Sequence, residues 1–187
     1  FVVCFIDEAT NLGKFYSMQR KSEVADKLKD YMRETGIPKE IRADNAKEYL
    51  FGQFRDTCRK YLIKQTFSAP YTSAQNGRAE RSWKTLMNTT RCLLLLSQSK
   101  LDRKLWPYAI KHAELLQNNW PTKTTSKLKN EKPIHLINKF LSKQNKSVDR
   151  ATNLRDIDIW GSKFVVLREG TRKSDKIDDN GEVCTYI

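Results

Sequence analysis

The chain has 187 residues, which suits one domain or a domain with a tail, and its 39% hydrophobic content supports a real core. A formal net charge of +13 points to a polyanionic partner, either nucleic acid or an anionic membrane face; the bland alternative is charge that only keeps the chain soluble. Neither a lipidation motif nor a basic amphipathic helix is evident, which favours nucleic acid, and no apolar run is long enough to span a membrane.

The four cysteines, Cys4, Cys58, Cys92 and Cys184, form no C-x-x-C pair, and His112 and His135 lack partners at ligand spacing, so neither a redox motif nor a zinc site is supported. Cys4 in an apolar strand and Cys92 in an apolar helix read as buried free thiols, which favours a reducing compartment.

In chain order, residues 1–6 form a nearly continuous apolar run, the pattern of a strand buried on both faces. The chain opens inside this strand, the pattern of a piece excised from something longer. Asn11, Leu12 and Gly13 supply a turn, and residues 14–19 suit a second strand. Ser22 is a good N-cap for a helix carrying Val24, Leu28 and Tyr31 or Met32 on one face; Gly36 ends it and Pro38 stops it resuming. A short strand over residues 40–43 delivers Asp44. Residues 51–61 suit a helix with Phe54, Cys58 and Tyr61 on one face, and residues 64–67 a strand. Residues 68–77 read as a flexible polar loop, followed by helices over about 78–97 and 103–119. The second carries Leu105, Ala109, His112, Ala113 and Leu116 on one stripe, with His112 an ordinary helix residue, and Pro121 ends it. Residues 122–150 turn rich in Lys, Asn, Ser and Thr, with a short helical piece near 133–137. Residues 160–168 are strand-like, and 183–187 suit a pairing strand. The boundaries follow: a core over 1–120, then a basic extension and the start of a downstream segment over 121–187. The order of elements suits an α/β layer arrangement around a mixed sheet.

Three carboxylates stand out by position. Asp7 closes the first apolar run, Asp44 closes the third strand, and Glu80 lies at the start of a long helix. Carboxylates at two strand ends and one helix start can converge on a pair of Mg²⁺ ions roughly 3.5–4 Å apart, which clamp the attacking and leaving oxygens of a phosphodiester exchange. Each has a structural alternative: Asp7 as a turn residue, Asp44 in an Asx turn, Glu80 favouring the helix dipole.

Their surroundings carry a resemblance. Phe5-Ile6-Asp7-Glu8, Arg42-Ala43-Asp44-Asn45, Glu48-Tyr49, Ala69-Pro70-Tyr71-Thr72 and Gln75-Asn76-Gly77-Arg78-Ala79-Glu80-Arg81 resemble the integrase catalytic core of retrotransposon Pol polyproteins, in the Copia branch. Leu105-Trp106-Pro107-Tyr108-Ala109 is similar to that branch's later helix, and Lys132-Pro133-Ile134 and Trp160-Gly161-Ser162-Lys163 follow its downstream region more loosely. Glu8 where a second Asp is common, and Ala46 where Gly is frequent, depart from the pattern without removing a carboxylate.

The resemblance implies a ribonuclease H-like fold: a mixed sheet flanked by helices, here with a basic C-terminal extension. It implies Asp7, Asp44 and Glu80 as the catalytic, metal-binding set for two Mg²⁺ ions, with Mn²⁺ as a substitute. The implied activity is DNA integration by 3′-end processing and strand transfer, acting on double-stranded DNA at element ends and host target. A homo-oligomer and action in the nucleus, after cytoplasmic assembly of the particle, follow from the same source. Asn45, Asn76, Arg81 and Lys84 are candidate nucleic-acid contacts. Lys84 lies one turn beyond Glu80 on the same face, and the alternative for Arg81 and Lys84 is a solvated basic face. Trp83 reads as packing or interface. The competing function is a nucleic-acid-binding protein that kept the fold and lost catalysis.

Overall fold

The structure, a computed structural model, describes residues 1–68, 77–96, 103–121, 131–142, 155, 157–167 and 181–187. The expected flexible loop over 68–77 falls outside these residues except at its two ends. Most of the Lys-rich stretch over 122–150 also lies outside them.

β1 (Val2–Ile6) and β2 (Gly13–Ser17) form an antiparallel hairpin in which Cys4 faces Phe15. Alternate residues serve two cores, as the period-2 geometry of a strand requires. Val3, Phe5 and Tyr16 face α1 (Val24–Thr35) and α3 (Gln53–Lys60), where Leu28, Met32, Phe54 and Cys58 are buried. Val2, Cys4, Ile6 and Phe15 face α4 (Gly77–Leu96) and α5 (Trp106–Asn119), meeting Leu86, Ile110 and Ala113. The hairpin is thus the middle layer between two helical layers. Full burial of a side chain the size of Phe15 or Phe54 stabilises the fold by about 1.5–3 kcal/mol each. β1 packs on both faces as its apolar run predicts, yet only Val3 in it is fully buried, because among the described residues β1 pairs on one edge only.

β3 (Glu40–Ala43) and β4 (Lys64–Phe67) pair in parallel, with Ala43 opposite Phe67, so both strands end at the same side. Their connection is helical, as a parallel pair demands. It is two helices rather than the one expected over 51–61: α2 (Lys47–Leu50) and α3 meet at Gly52, whose φ of +69° turns the chain between them. Among the described residues the expected mixed sheet is divided into separate two-stranded pieces, β1–β2, β3–β4 and β5–β6.

Two smaller expectations shift. Ser22 does not cap α1. It lies in a 3₁₀ turn over Lys21–Glu23, closed by the Glu23 carboxylate accepting from the Arg20 N–H at 2.9 Å. Cys92 is exposed, because the buried side of α4 runs through Leu86 and Thr90 and leaves Cys92 one position off it.

α6 (Pro133–Ser142) is longer than the helical piece expected near 133–137. It packs Ile137 and Leu141 against Leu12 in the β1–β2 turn. β5 (Lys163–Leu167) and β6 (Gly181–Thr185) form an antiparallel pair. Beside them, the rings of Trp160 and Tyr186 lie 5.4 and 5.8 Å from that of His112 on α5. Residues on both sides of position 121 therefore share contacts. No helix among the described residues is long and apolar enough to cross a membrane.

Candidate active site

Asp7 leaves β1 directly into the hairpin turn. Its Oδ2 accepts from the Thr10 N–H at 2.8 Å and from the Thr10 hydroxyl at 2.6 Å, while its backbone bonds to Leu12 and Asn11 close the turn. A carboxylate bridging the backbone and hydroxyl three residues on is a turn lock. Asp44 follows β3 and is exposed; its Oδ1 accepts from the Ala46 N–H at 3.2 Å, an Asx turn that opens α2. Glu80 is exposed in the first turn of α4, where a negative charge favours the helix dipole. Each carboxylate thus fills the structural role that the sequence offered as its alternative. Each also keeps at least one oxygen without a hydrogen bond, and none is in an ion pair, among the described residues.

The surrounding electrostatics register two of these charges. Burial pushes the Tyr49 hydroxyl up to about 12, and the neighbouring Asp44 and Glu48 carboxylates add to the shift. Burial also raises Tyr31, with Asp7 contributing in the same direction.

Two polar ties position the elements. The Arg78 guanidinium donates to the Glu8 carbonyl and, at 3.3 Å, to Asn11 Oδ1, so the start of α4 is pinned to the turn that follows Asp7. Asn45 Nδ2 donates to the Ser68 carbonyl at 3.0 Å, joining the ends of β3 and β4. Arg81 and Lys84 are exposed on α4, and Trp83 packs into the core beneath that helix. Asn76 lies outside the described residues.

The donor set suits a hard divalent cation, since all three candidates are carboxylates. Among the described residues, no group of three or more His, Cys, Asp or Glu side chains is gathered that could hold one ion. Donor chemistry fits; the assembled geometry is not present.

Reading the sequence for chemistry passed over three residues. Arg78 lies inside the conspicuous block before Glu80 but has no acidic or motif-specific signal of its own. Glu114 and Asn118, four apart on α5, are a buried polar pair on an otherwise apolar helix face, and that spacing was the available clue. Glu114 accepts from the Phe15 N–H at 3.1 Å and pairs with Lys111 at 3.1 Å and Lys14 at 3.7 Å. Asn118 bonds to Gly13 in both directions. Together they take the place of a neighbouring strand along the outer edge of β2.

No protein-family model matches the chain. It is 31% identical over 127 residues to the retrovirus-related Pol polyprotein from transposon TNT 1-94 of Nicotiana tabacum, covering 65% of this chain and 9% of that protein. It is 30% identical over 128 residues to the corresponding polyprotein from transposon RE2 of Arabidopsis thaliana, covering 65% of this chain and 8% of that one. The chain therefore spans less than a tenth of the length of these relatives. In fold it is similar to a chain of the simian T-cell lymphotropic virus intasome in complex with PP2A regulatory subunit B56 gamma. The TM-score is 0.63 at 20% identity, covering 73% of this chain and 47% of that one. It is also similar to the catalytic core domain of BIV integrase, with a TM-score of 0.60 at 14% identity, covering 78% of this chain and 90% of that one. In sequence the chain is similar to retrovirus-related Pol polyproteins of plant transposons, and in fold it is similar to the catalytic core domain of BIV integrase.

Proposed function

We propose that this chain is the catalytic core of a DNA integrase, joining retrotransposon DNA to host DNA by metal-dependent phosphoryl transfer. One observation carries the reading. Asp44 and Glu80 are exposed carboxylates in no ion pair among the described residues, at a strand end and a helix start, in a chain similar in fold to integrase cores. Asp7 is the third member through Oδ1, its Oδ2 being held by Thr10. A ribonuclease H-like arrangement of the sheet belongs to the same reading.

These carboxylates would hold two Mg²⁺ ions, or Mn²⁺ in their place, which when bound supply Lewis acidity to the attacking and departing oxygens. The chain's other residues orient the site. Arg78 holds the helix of Glu80 against the turn of Asp7, and Asn45 holds the strand end of Asp44 against β4. Arg81 and Lys84, with Asn76, contact phosphates of double-stranded DNA, contributing position and salt dependence rather than sequence readout. In end processing, water forms a new P–O bond as the bond to the departing 3′ oxygen breaks. In strand transfer, the freed 3′-hydroxyl does the same to a host phosphodiester. Neither step leaves phosphate on the enzyme. The active form is a homo-oligomer working in the nucleus after cytoplasmic assembly of the particle.

A second reading, a DNA-binding protein without catalysis, is favoured by the turn roles that the Asp7 and Asp44 carboxylates already fill. Resolution of a branched DNA substrate with Mg²⁺ or Mn²⁺ separates the two. Turnover by the wild-type chain that falls at least about a hundredfold in both Asp44→Asn and Glu80→Gln, with unchanged circular dichroism, supports the integrase reading. Turnover that survives both substitutions refutes the carboxylate assignment. DNA binding without turnover supports the second reading.

A further inference from the structure

We propose that the groove between α2, α3 and β4 binds a single strand of DNA. The groove encloses about 420 Å³ and is lined by Leu50, Phe51, Arg55, Arg59, Gln65 and Phe67. Its lining holds two guanidinium groups and no carboxylate. Arg55 and Arg59 are four residues apart on α3, so they share a face and sit roughly 6 Å apart along the helix, a spacing that lets them take neighbouring phosphates. Phe54, Thr57 and Cys58 are buried on the inner side of the same helix and hold it against the core.

The charges are available. Both arginines are exposed, and neither is in an ion pair among the described residues. By contrast, the nearby Lys64 and Lys21 are matched with Glu40 and Glu48.

The aromatic groups set the form of the ligand. Phe51 is 62% exposed at the groove, an unfavourable position for a phenyl ring in water that a stacked base would relieve. A base can stack on such a ring only when it is outside a duplex, so two arginines beside the exposed Phe51 suit a single strand better than a double helix. Gln65 donates its amide to the Tyr49 carbonyl at 3.3 Å, which stiffens the junction of α2 with β4. The strand ends place the groove usefully. Phe67 pairs with Ala43, the residue before Asp44, so a strand lying in the groove passes close to that carboxylate. The choice of DNA over RNA rests on the integrase reading; the groove's geometry does not.

The test is anisotropy of a labelled oligothymidylate titrated with the whole chain in EDTA, across a series of salt concentrations. The double variant Arg55→Gln/Arg59→Gln is expected to bind roughly tenfold more weakly, with the slope of log K against log salt reduced by about 1.4, two single-strand phosphates' worth. Phe51→Ala is expected to lose roughly fivefold or more on the oligothymidylate and nothing on an abasic strand of equal length. Unchanged circular dichroism and melting of the variants keeps the comparison clean. Wild-type affinity and slope in the double variant would overturn the proposal, as would a Phe51→Ala loss that persists on the abasic strand. Tighter binding of a blunt duplex, lost in the double variant, would overturn the single-strand assignment. Asp44→Asn in the same titration separates the two ideas. With turnover read separately on the branched substrate with Mg²⁺, dead catalysis and intact strand binding in Asp44→Asn leave the groove standing, whereas intact turnover and lost strand binding in Arg55→Gln/Arg59→Gln leave the carboxylates standing.

Discussion

The Asn118 side-chain amide and the Gly13 backbone hydrogen-bond in both directions: the Gly13 N–H donates to Asn118 Oδ1 at 2.9 Å, and Asn118 Nδ2 donates to the Gly13 carbonyl at 2.7 Å. The partners are 105 residues apart, and both are buried. A helix side chain here does what a backbone neighbour does in a sheet. Asn118→Leu keeps the volume and leaves a buried donor and acceptor unpaired, so it should destabilise the fold by about 2–4 kcal/mol. Urea unfolding measures this, with Asn88→Leu on the exposed side of α4 as the control, expected within about 0.5 kcal/mol of wild type. Equal midpoints for the two variants would remove Asn118 from the account of the core.

Asp7 differs from Asp44 and Glu80 in what its carboxylate already holds. Asp7→Asn loses the charge that strengthens the turn lock and Thr10→Val loses its hydroxyl bond, and each should lower stability by about 1–2 kcal/mol in thermal or urea unfolding. Asp44→Asn and Glu80→Gln lose little more than a local turn or a dipole contact, and should stay within about 1 kcal/mol of wild type. If Asp7→Asn proves as neutral as Glu80→Gln, the turn lock is not contributing to the fold.

The thiols should separate by labelling. Burial pushes Cys4 and Cys58 up to about 11, so at pH 8 only about one in a thousand of either is thiolate, the reactive form. Cys92 is exposed on α4. Iodoacetamide treatment followed by peptide mass mapping should modify Cys92 first, and Cys4 and Cys58 only when the chain unfolds. Early modification of Cys58 would mean that the packing of α3 on α1 opens readily.

His112 couples stability to acid. Burial against Trp160 and Tyr186 lowers its pKa below the ordinary 6.5. Between the folded and unfolded values the unfolded chain binds the proton more tightly. The contribution is therefore complete above about pH 6.5 and is lost as pH falls through the depressed folded value. His112→Gln should flatten the stability profile below pH 6.5 relative to wild type, read from urea midpoints across that range. An unaltered profile would show that carboxylates alone set the acid limb.

Local chemistry carried most of the secondary structure. β3 and β4 match the spans read from the sequence: β3 alternates Ile41 and Ala43 with charged residues after Pro38, and β4 ends on the β-formers Thr66 and Phe67 before polar Ser68. The long helix before Leu96 and the stop of α1 at Gly36 were legible for the same reason. The break at Gly52 was not, since a glycine inside a helical pattern is tolerated as often as it turns the chain. The family resemblance too was legible in the sequence, carried by the blocks around Asp44 and Glu80 without coordinates.

Tertiary structure decided everything that depends on long-range pairing. No local signal could tell that α5 completes the edge of β2 through Glu114 and Asn118, that Arg78 reaches back to Glu8, or that Arg55 and Phe51 share a groove. Nor could spacing alone tell whether Asp7, Asp44 and Glu80 meet. Sequence specifies which groups can bind an ion, because that is a property of side-chain chemistry. Whether those groups converge depends on how separate strand pairs pack, which is a property of the whole core.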